Sequence, residues 1–252
     1  CGLLCATPCW SSSLPDQFMS DPLGMVLVSR QVARGEMMQL WYETGDLGVL
    51  QKLSSQKIIC VDVETTGTHP AVDEVLQVVL LRGDGAMLFS QYFKPEHHKS
   101  WISAQRINGI SPAMVQDCPS IKSCSTTIEQ LLVHASLIVG YNLPFDLSFL
   151  RAVGIRTRGA RTLYFDVMRE FAPVAGYWDR NCRRYAWVPL TYCARHYGCI
   201  FQAHDALEDA RATLHCFRSM LEVNSDEKSN RQSRTYLDIV ARYGKPRHLR
   251  GE

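Results

Sequence analysis

The segment at residues 58–67, IICVDVETTG, constrains the fold of this chain more than any other stretch. It begins as a β-branched apolar run, which is typical of a buried strand, and it ends with Asp62 and Glu64. Side chains two residues apart on a strand point to the same face, so these carboxylates repel each other unless a positive charge lies between them. The segment therefore predicts either a Mg²⁺ or Mn²⁺ site, which hard oxygen ligands favour, or a solvent-exposed strand end with two ordinary acids.

The length and composition of the chain indicate a globular protein. Its 252 residues suffice for one substantial domain with accessory segments, and 46% hydrophobic with 21% charged residues is ordinary for that class. No apolar run approaches the ~20 residues of a membrane span, so we expect no membrane association. A formal net charge of +2 does not identify a partner, so any signal for nucleic-acid binding must be local.

The pattern of residues divides the chain into three parts. Residues 1–56 carry apolar side chains at irregular helical spacing from about 20 to 53, which predicts an N-terminal extension, helical in part. The extension either packs on the main domain or forms a docking segment for a partner. Residues 57–222 form the predicted main domain, and residues 223–252 form a polar tail rich in Lys and Arg.

Ten cysteines are scattered along the chain without CxxC spacing. Seven of them are expected to be reduced core thiols of a cytoplasmic protein, with disulfides or a metal site as the alternatives: Cys60, Cys118, Cys124, Cys182, Cys193, Cys199 and Cys216. Cys1, Cys5 and Cys9 recur every four residues and leave open a zinc site, although no His completes such a set.

The main domain opens with three predicted strands and continues with alternating strands and helices. Two apolar runs flank the turn Gly83-Asp84-Gly85, which is a hairpin signal that makes the second and third strands antiparallel. A fourth strand, SLIVGYN, leads into a helix that stops at Gly154, and TLYFDVMREFA holds a short strand followed by a helix. This order predicts an α/β domain with a mixed sheet.

Further polar residues that could join such a metal site follow these elements. Asp146 lies in the first turn of the helix after the fourth strand, with Asn142 at the strand end. Alone, Asp146 is equally consistent with an acid favoured there by the helix dipole. Asp209 lies on the apolar face of the last helix, where an acid is costly unless it is paired or metal-bound. His204, in the loop before that helix, is either a surface residue or a base for an attacking water.

Taken together, these residues resemble the DEDD exonucleases of the subgroup with a catalytic His (DEDDh), which includes the epsilon subunit of bacterial DNA polymerase III and ribonuclease T. VDVETTG is similar to the first motif, YNLPFDLSFL to the second and HDALEDARAT to the third, while RINGIS and LTYCARHYGCIF resemble connecting segments. The resemblance covers residues 57–221. Tyr141 departs from it, because the family has His before the second-motif Asn, and this change falls at the rim of the predicted site.

The resemblance implies a ribonuclease H-like fold with a mixed, mainly five-stranded sheet flanked by helices. It implies a 3′→5′ exonuclease that releases nucleoside 5′-monophosphates by a two-metal mechanism. His204 would be the general base. Two Mg²⁺ or Mn²⁺ ions would be held by four acids: Asp62, Glu64, Asp146 and Asp209. A second group of residues would bind the terminal nucleotide: Thr65, Thr66, Gly67, Asn142 and Phe145. The position of Phe145 is equally consistent with core packing.

The substrate we expect is a single-stranded or frayed nucleic-acid 3′ end. Residues 151–195 contain nine arginines, and YWDRNCRRYAW mixes arginines with aromatic residues, as single-strand binding requires, although a solvated basic surface has the same composition. The similarity to epsilon favours DNA, in proofreading or repair, over RNA 3′-end trimming. A non-catalytic module that binds nucleic acid or a polymerase is the other alternative, and relatives of this kind suggest a homodimer.

Overall fold

A five-stranded sheet forms the centre of the part of the chain that the computed structural model describes, residues 47–159, 162–180 and 183–228. The strands are β1 (Ile58–Thr65), β2 (Val75–Arg82), β3 (Met87–Tyr92), β4 (Leu137–Gly140) and β5 (Leu163–Asp166), in the order β3-β2-β1-β4-β5. β2 is antiparallel to both β1 and β3, whereas β4 and β5 run parallel to β1. The predicted mixed sheet and its hairpin are thus confirmed.

Helices cover both faces of the sheet. They are α1 (Ile102–Asn108), α2 (Pro112–Val115), α3 (Ser125–His134), α4 (Leu143–Ala152), α5 (Val167–Ala175), α6 (Leu190–His196) and α7 (Ala206–Lys228). Apolar residues of α3 and α4 pack on one face, and those of α5, α6 and α7 pack on the other. This is the three-layer arrangement expected where parallel strands alternate with helices.

The alternation of side chains along β1 decides which layer each residue meets. Ile59, Val61 and Val63 lie in the cluster formed with α3 and α4, whereas Ile58 and Cys60 lie in the cluster formed with α7. Because side chains alternate along a strand, Asp62 and Glu64 continue the row of Ile58 and Cys60 and face α7. The apolar run ends where this row becomes acidic.

The long helix α7 closes that face of the sheet. The residues predicted to form its apolar side are all buried: Ala206, Ala210, Thr213, Leu214, Phe217 and Leu221. The edge of the Phe217 ring packs on Phe165 of β5, with 5.0 Å between the ring centroids. The helix extends to Lys228, so the first residues of the predicted basic tail are helical, and the rest of that tail lies outside the described residues.

Most of the predicted N-terminal extension, and with it Cys1, Cys5 and Cys9, also lies outside the described residues. Its last part forms a 3₁₀ helix, Leu47–Lys52, in which Leu50 is buried against the α7 side of the core. The Gln51 side chain donates a hydrogen bond to the carbonyl of Leu221. These residues therefore pack on the main domain, while the three-part division of the chain stays a prediction.

A second, two-stranded sheet was not predicted. β6 (Trp178–Asp179) pairs antiparallel with β7 (Arg184–Tyr185) between α5 and α6, within the arginine-rich stretch. Two-residue strands cannot show the alternation by which strands are recognised in a sequence. Among the described helices, none is both long and apolar enough to cross a membrane.

The six described cysteines have free thiols, as predicted. Cys60, Cys193 and Cys216 are buried in the core on the α7 side of the sheet. The other three, Cys118, Cys124 and Cys199, are only half-buried, so the expectation of core positions holds for half of the set.

Candidate active site

Three carboxylates predicted from separate motifs meet at the end of β1. Oxygen atoms of Asp62, Glu64 and Asp209 all lie within 4.8 Å of one another, and each of these residues is half-buried. Asp209 lies in the first turn of α7 and faces β1, while its neighbour Glu208 instead pairs with Arg211 at 2.7 Å. The inward direction predicted for Asp209 agrees with these contacts.

Asp146 approaches the same place from α4. β1 pairs with β4 only as far as Cys60 and Val139, so the amide of Val63 has no partner on β4. The Oδ1 atom of Asp146 accepts a hydrogen bond from that amide at 3.0 Å. Its Oδ2 atom is buried without a hydrogen-bond partner among the described residues. Because buried polar atoms are normally paired, this oxygen indicates a missing positive partner.

The electrostatics of the cluster also indicate a missing cation. Burial raises the pKa of Asp62 well above its usual range, and the nearby Asp146, Glu64 and Asp209 raise it further. Burial, followed by Asp209, raises the pKa of Glu64 to about 7. Burial raises the pKa of Asp209 to about 6, against the hydrogen bond from the His204 amide. Carboxylates this close retain protons to reduce their repulsion unless a cation replaces those protons.

Two residues flanking the cluster adopt left-handed backbone conformations, which are uncommon for residues other than glycine. Asn142, just before α4, has φ of 61°, and His204, just before α7, has φ of 69°. The His204 amide donates to both carboxylate oxygens of Asp209, at 3.2 and 3.3 Å. Each turn directs the chain so that its helix brings an acid to the cluster. The His204 side chain is exposed beside Asp209.

Three of the residues predicted to bind the terminal nucleotide, Thr65, Thr66 and Gly67, lie at the end of β1 or directly after it. Thr65 and Thr66 are buried at the end of β1, and the Thr66 hydroxyl accepts a hydrogen bond from the Glu74 amide at 2.8 Å. A Cβ atom on Gly67 would overlap the carboxylate of Asp73, so a larger residue here would displace that side chain. The contact of these residues with a nucleotide stays a prediction.

Phe145 and Tyr141 both turn partly into the protein. Phe145 is half-buried and packs on Phe149, with 4.9 Å between the ring centroids. The Tyr141 hydroxyl donates a hydrogen bond to the carbonyl of Val188 at 2.7 Å, and its ring packs on the core. At the position where the family has His, this chain therefore has a side chain that ties the site to the segment before α6.

Two contributors to the site were not identified from the sequence. The side-chain amide of Asn108, in the segment RINGIS, donates a hydrogen bond to the backbone carbonyl of Thr65 at 3.2 Å. A hydrogen bond from the same side chain to Glu64 lowers the pKa of that acid. Asp166, at the end of β5, accepts hydrogen bonds from the amides of Asn142 and Met168, both at 3.1 Å. Asp166 ends a strand that is parallel to β1, and the carboxyl ends of parallel strands lie at the same end of a sheet. This position could have indicated Asp166 from the sequence.

The donor set fits a hard divalent cation. It consists of carboxylate oxygens alone, and the unpaired Oδ2 of buried Asp146 adds a fourth acid to the three that share the 4.8 Å cluster. Oxygen ligands of this kind suit Mg²⁺ or Mn²⁺, whereas zinc prefers nitrogen and sulfur.

These pKa values predict how metal removal changes stability. Groups whose folded pKa is raised stabilise the fold below their unfolded pKa, and this contribution is lost as the pH rises through the folded pKa. With EDTA, the melting temperature should therefore fall from pH 4.5 to 8, mainly around pH 6 to 7, where Asp209 and Glu64 lose their protons. Adding Mg²⁺ should raise it by at least about 3 °C more at pH 8 than at pH 5. Differential scanning calorimetry measures this difference, and Glu64→Gln should reduce it. A pH-independent effect of Mg²⁺ would contradict the prediction.

Comparison with known proteins agrees with this geometry. Residues 59–217 match the family RNase_T, described as exonuclease. The chain is 27% identical over 174 residues to a PolC-type DNA polymerase III of Thermotoga maritima, which covers 66% of this chain and 12% of that protein. It is 33% identical over 105 residues to the 3′-5′ exonuclease DinG of Bacillus subtilis, which covers 39% of this chain and 11% of that protein.

Among solved structures, the fold is similar to that of Escherichia coli exonuclease I in complex with a dT13 oligonucleotide. The TM-score is 0.55 at 21% identity, and the match covers 69% of this chain and 42% of that one. The chain thus spans about an eighth of the two curated relatives and under half of the solved structure. At this identity the structural likeness shows the fold.

Proposed function

The chain belongs to the RNase_T exonuclease family, and from this premise we propose that it is a metal-dependent 3′→5′ exonuclease that releases nucleoside 5′-monophosphates. The observation that carries the proposal is the convergence of Asp62, Glu64 and Asp209 within 4.8 Å, on elements far apart in the sequence. Crowded buried carboxylates are costly to a fold unless a charge balances them. Their position at one edge of the sheet is where ligands of α/β proteins commonly bind.

Four acids would bind the metal ions in this proposal. Asp62, Glu64, Asp146 and Asp209 would hold two divalent ions, Mg²⁺ or Mn²⁺. When bound, these ions supply charge neutralisation at the reacting phosphate and at the leaving 3′ oxygen. Asp146 contributes from α4, where its bond to the Val63 amide fixes the carboxylate against β1. Asn108 donates a side-chain hydrogen bond to Glu64.

The proton of the attacking water would pass to His204. Its side chain is exposed, so it is accessible to solvent and substrate, and its backbone amide is fixed to the Asp209 carboxylate. Imidazole is the side chain best able to exchange a proton near neutral pH. Thr65, Thr66, Gly67 and Asn142 would contact the terminal nucleotide, and the half-buried ring of Phe145 would bound its base.

DNA is the substrate that we favour. One relative is a PolC-type DNA polymerase III, and the structurally similar exonuclease I is in complex with a dT13 oligonucleotide. Single-stranded or frayed 3′ ends are the form of this substrate that we propose. A role in proofreading or repair follows from this choice, with a polymerase or another replication protein as a further partner.

Three further parts of the proposal concern the chain around the site. We propose that residues 1–56 are an accessory extension, 57–222 the catalytic domain and 223–252 a basic tail. The free thiols of the described cysteines support a reducing compartment, for which we propose the cytoplasm. Association into a homodimer is also proposed, and sedimentation velocity would test it.

The experiment that tests the activity compares matched DNA and RNA 20-mers, each labelled at the 3′ or the 5′ end. With Mg²⁺ or Mn²⁺ we expect nucleoside monophosphates from the 3′ end and a ladder of shortened 5′-labelled products, faster on DNA. Equal or faster digestion of RNA would indicate the RNA-trimming alternative. Stable binding without any hydrolysis, in both metals, would contradict the proposal and favour a non-catalytic module.

A further inference from the structure

The small second sheet lies outside the carboxylate cluster and has no task in the reaction described above. Together with its flanks it comprises residues 177–180 and 183–187, which we name the aromatic hairpin. We propose that the aromatic hairpin binds single-stranded nucleic acid on the 5′ side of the terminal nucleotide, by stacking on bases and by contacting phosphates. This inference rests on the proposed function and adds to it a second binding surface.

The hairpin presents aromatic rings to solvent. Tyr177, Trp178 and Trp187, with Tyr192 of α6 beside them, are 37–48% exposed, although large aromatic residues are usually buried. Their orientation is fixed by neighbouring rings. Trp178 packs edge-on against Tyr185 across the strand pair, with 5.1 Å between centroids, and the hydroxyls of Tyr177 and Tyr192 lie 3.2 Å apart. Exposed rings held in place have little conformational entropy to lose when a base stacks on them.

Cations accompany these rings. Arg180, Arg183 and Arg184 are exposed on the hairpin, where Asp179 is the single acid among its described residues. The guanidinium of Arg184 lies over the ring of Trp187, 4.3 Å from its centroid. This pairing leaves the guanidinium edges available to a phosphate while the Trp187 ring supports the side chain. Exposed rings and exposed cations therefore lie together on the hairpin, as stacking on bases and contact with phosphates require.

The hairpin is also connected to the active site. The amide of Ala186 donates to the carbonyl of Tyr177 at 2.6 Å and closes its base. Two residues further on, the carbonyl of Val188 accepts the hydroxyl of Tyr141, which directly precedes Asn142 and α4. This contact joins the segment that follows the hairpin to the start of α4, so we place the nucleotides that precede the terminal one at the hairpin. The charge of the hairpin excludes a basic partner, and its aromatic rings favour bases over a purely anionic surface.

The test measures binding separately from hydrolysis. A 5′-fluorescein dT20 oligonucleotide is titrated with protein in EDTA, which prevents cleavage, and the anisotropy gives Kd at several salt concentrations. Trp187→Ala should weaken binding about tenfold, because one stacked base is lost, and Trp187→Phe should restore most of it. Arg184→Gln should reduce the slope of log Kd against log salt by about 0.7, the value for one phosphate contact on a single strand.

Two exposed residues outside the hairpin supply the controls. Met87→Ala changes an apolar side chain on β3, and Lys122→Gln changes a lysine paired with Glu96 at 2.8 Å. Both should bind dT20 as the unchanged protein does. Circular dichroism should show that each hairpin variant melts within a few degrees of the unchanged protein.

A second substrate distinguishes this inference from the proposed function. The p-nitrophenyl ester of thymidine 5′-monophosphate reaches only the carboxylate cluster, so both hairpin variants should hydrolyse it within about twofold of the unchanged rate. If the unchanged protein hydrolyses neither this ester nor DNA, the proposed function fails, while the titration in EDTA still decides the role of the hairpin. Folded Trp187→Ala and Arg184→Gln variants that bind dT20 with unchanged Kd and salt slope would overturn the proposed role of the aromatic hairpin.

Discussion

Asp62→Asn should reduce the rate of 3′-end hydrolysis at least about a thousandfold, because an amide cannot supply the charge that holds a divalent ion at this position. Asp62 lies between Glu64, Asp146 and Asp209, and all three raise its pKa. The same substitution removes one charge from a crowded buried group. The variant should therefore melt at a higher temperature than the unchanged protein in EDTA at pH 8. Loss of activity together with a gain of stability is expected of a residue retained for chemistry.

The matched control is Asp117→Asn, an exposed acid after α2, which should leave both activity and melting temperature unchanged. Single-turnover digestion of a 5′-labelled DNA 20-mer measures the rate, and calorimetric titration with Mn²⁺ measures metal affinity. An Asp62→Asn protein that retains more than a tenth of the unchanged rate would show that the cluster is not the catalytic centre. A lower melting temperature in EDTA would show that the carboxylate stabilises the fold.

His204→Asn should lower kcat by about 10²–10⁴-fold, the usual contribution of a general base, with little change in KM. Asparagine is the suitable replacement because it tolerates the left-handed backbone that His204 adopts at φ 69°. The amide that donates to Asp209 is part of the backbone and remains in the variant. Any loss therefore reports on the imidazole and leaves the position of Asp209 intact.

Free imidazole should restore part of the activity of this variant, whereas it should not restore that of Asp62→Asn. His134→Asn is the control, because His134 is exposed at the end of α3 and its Nδ1 atom lies 2.7 Å from the carbonyl of Gln130 in its own helix. If His204→Asn lowers metal affinity and free imidazole has no effect, the imidazole side chain contributes to metal binding and another group accepts the proton.

Much of the central layer could be predicted from local patterns. The apolar run of β1, the Asp-Gly turn between β2 and β3 and the apolar face of α7 are properties of neighbouring residues, and each was confirmed. Asp209 was predicted to face inward because its neighbours on the helix are apolar. The β6–β7 pair was missed, since two-residue strands carry no periodic signal. Asn108 and Asp166 were missed because their partners, Thr65, Glu64 and Asn142, are distant in sequence.

The sequence by itself determined which acids lie at strand and helix ends and in which order, because helix and strand periods fix side-chain direction within one element. Tertiary structure alone decided that oxygens of Asp62, Glu64 and Asp209 come within 4.8 Å, and that Asp146 meets the Val63 amide which β4 is too short to pair. It also decided that Tyr141 joins the site to the aromatic hairpin. Distances of this kind depend on how far paired strands extend past one another and on how helices pack across them. No local pattern of residues encodes either quantity.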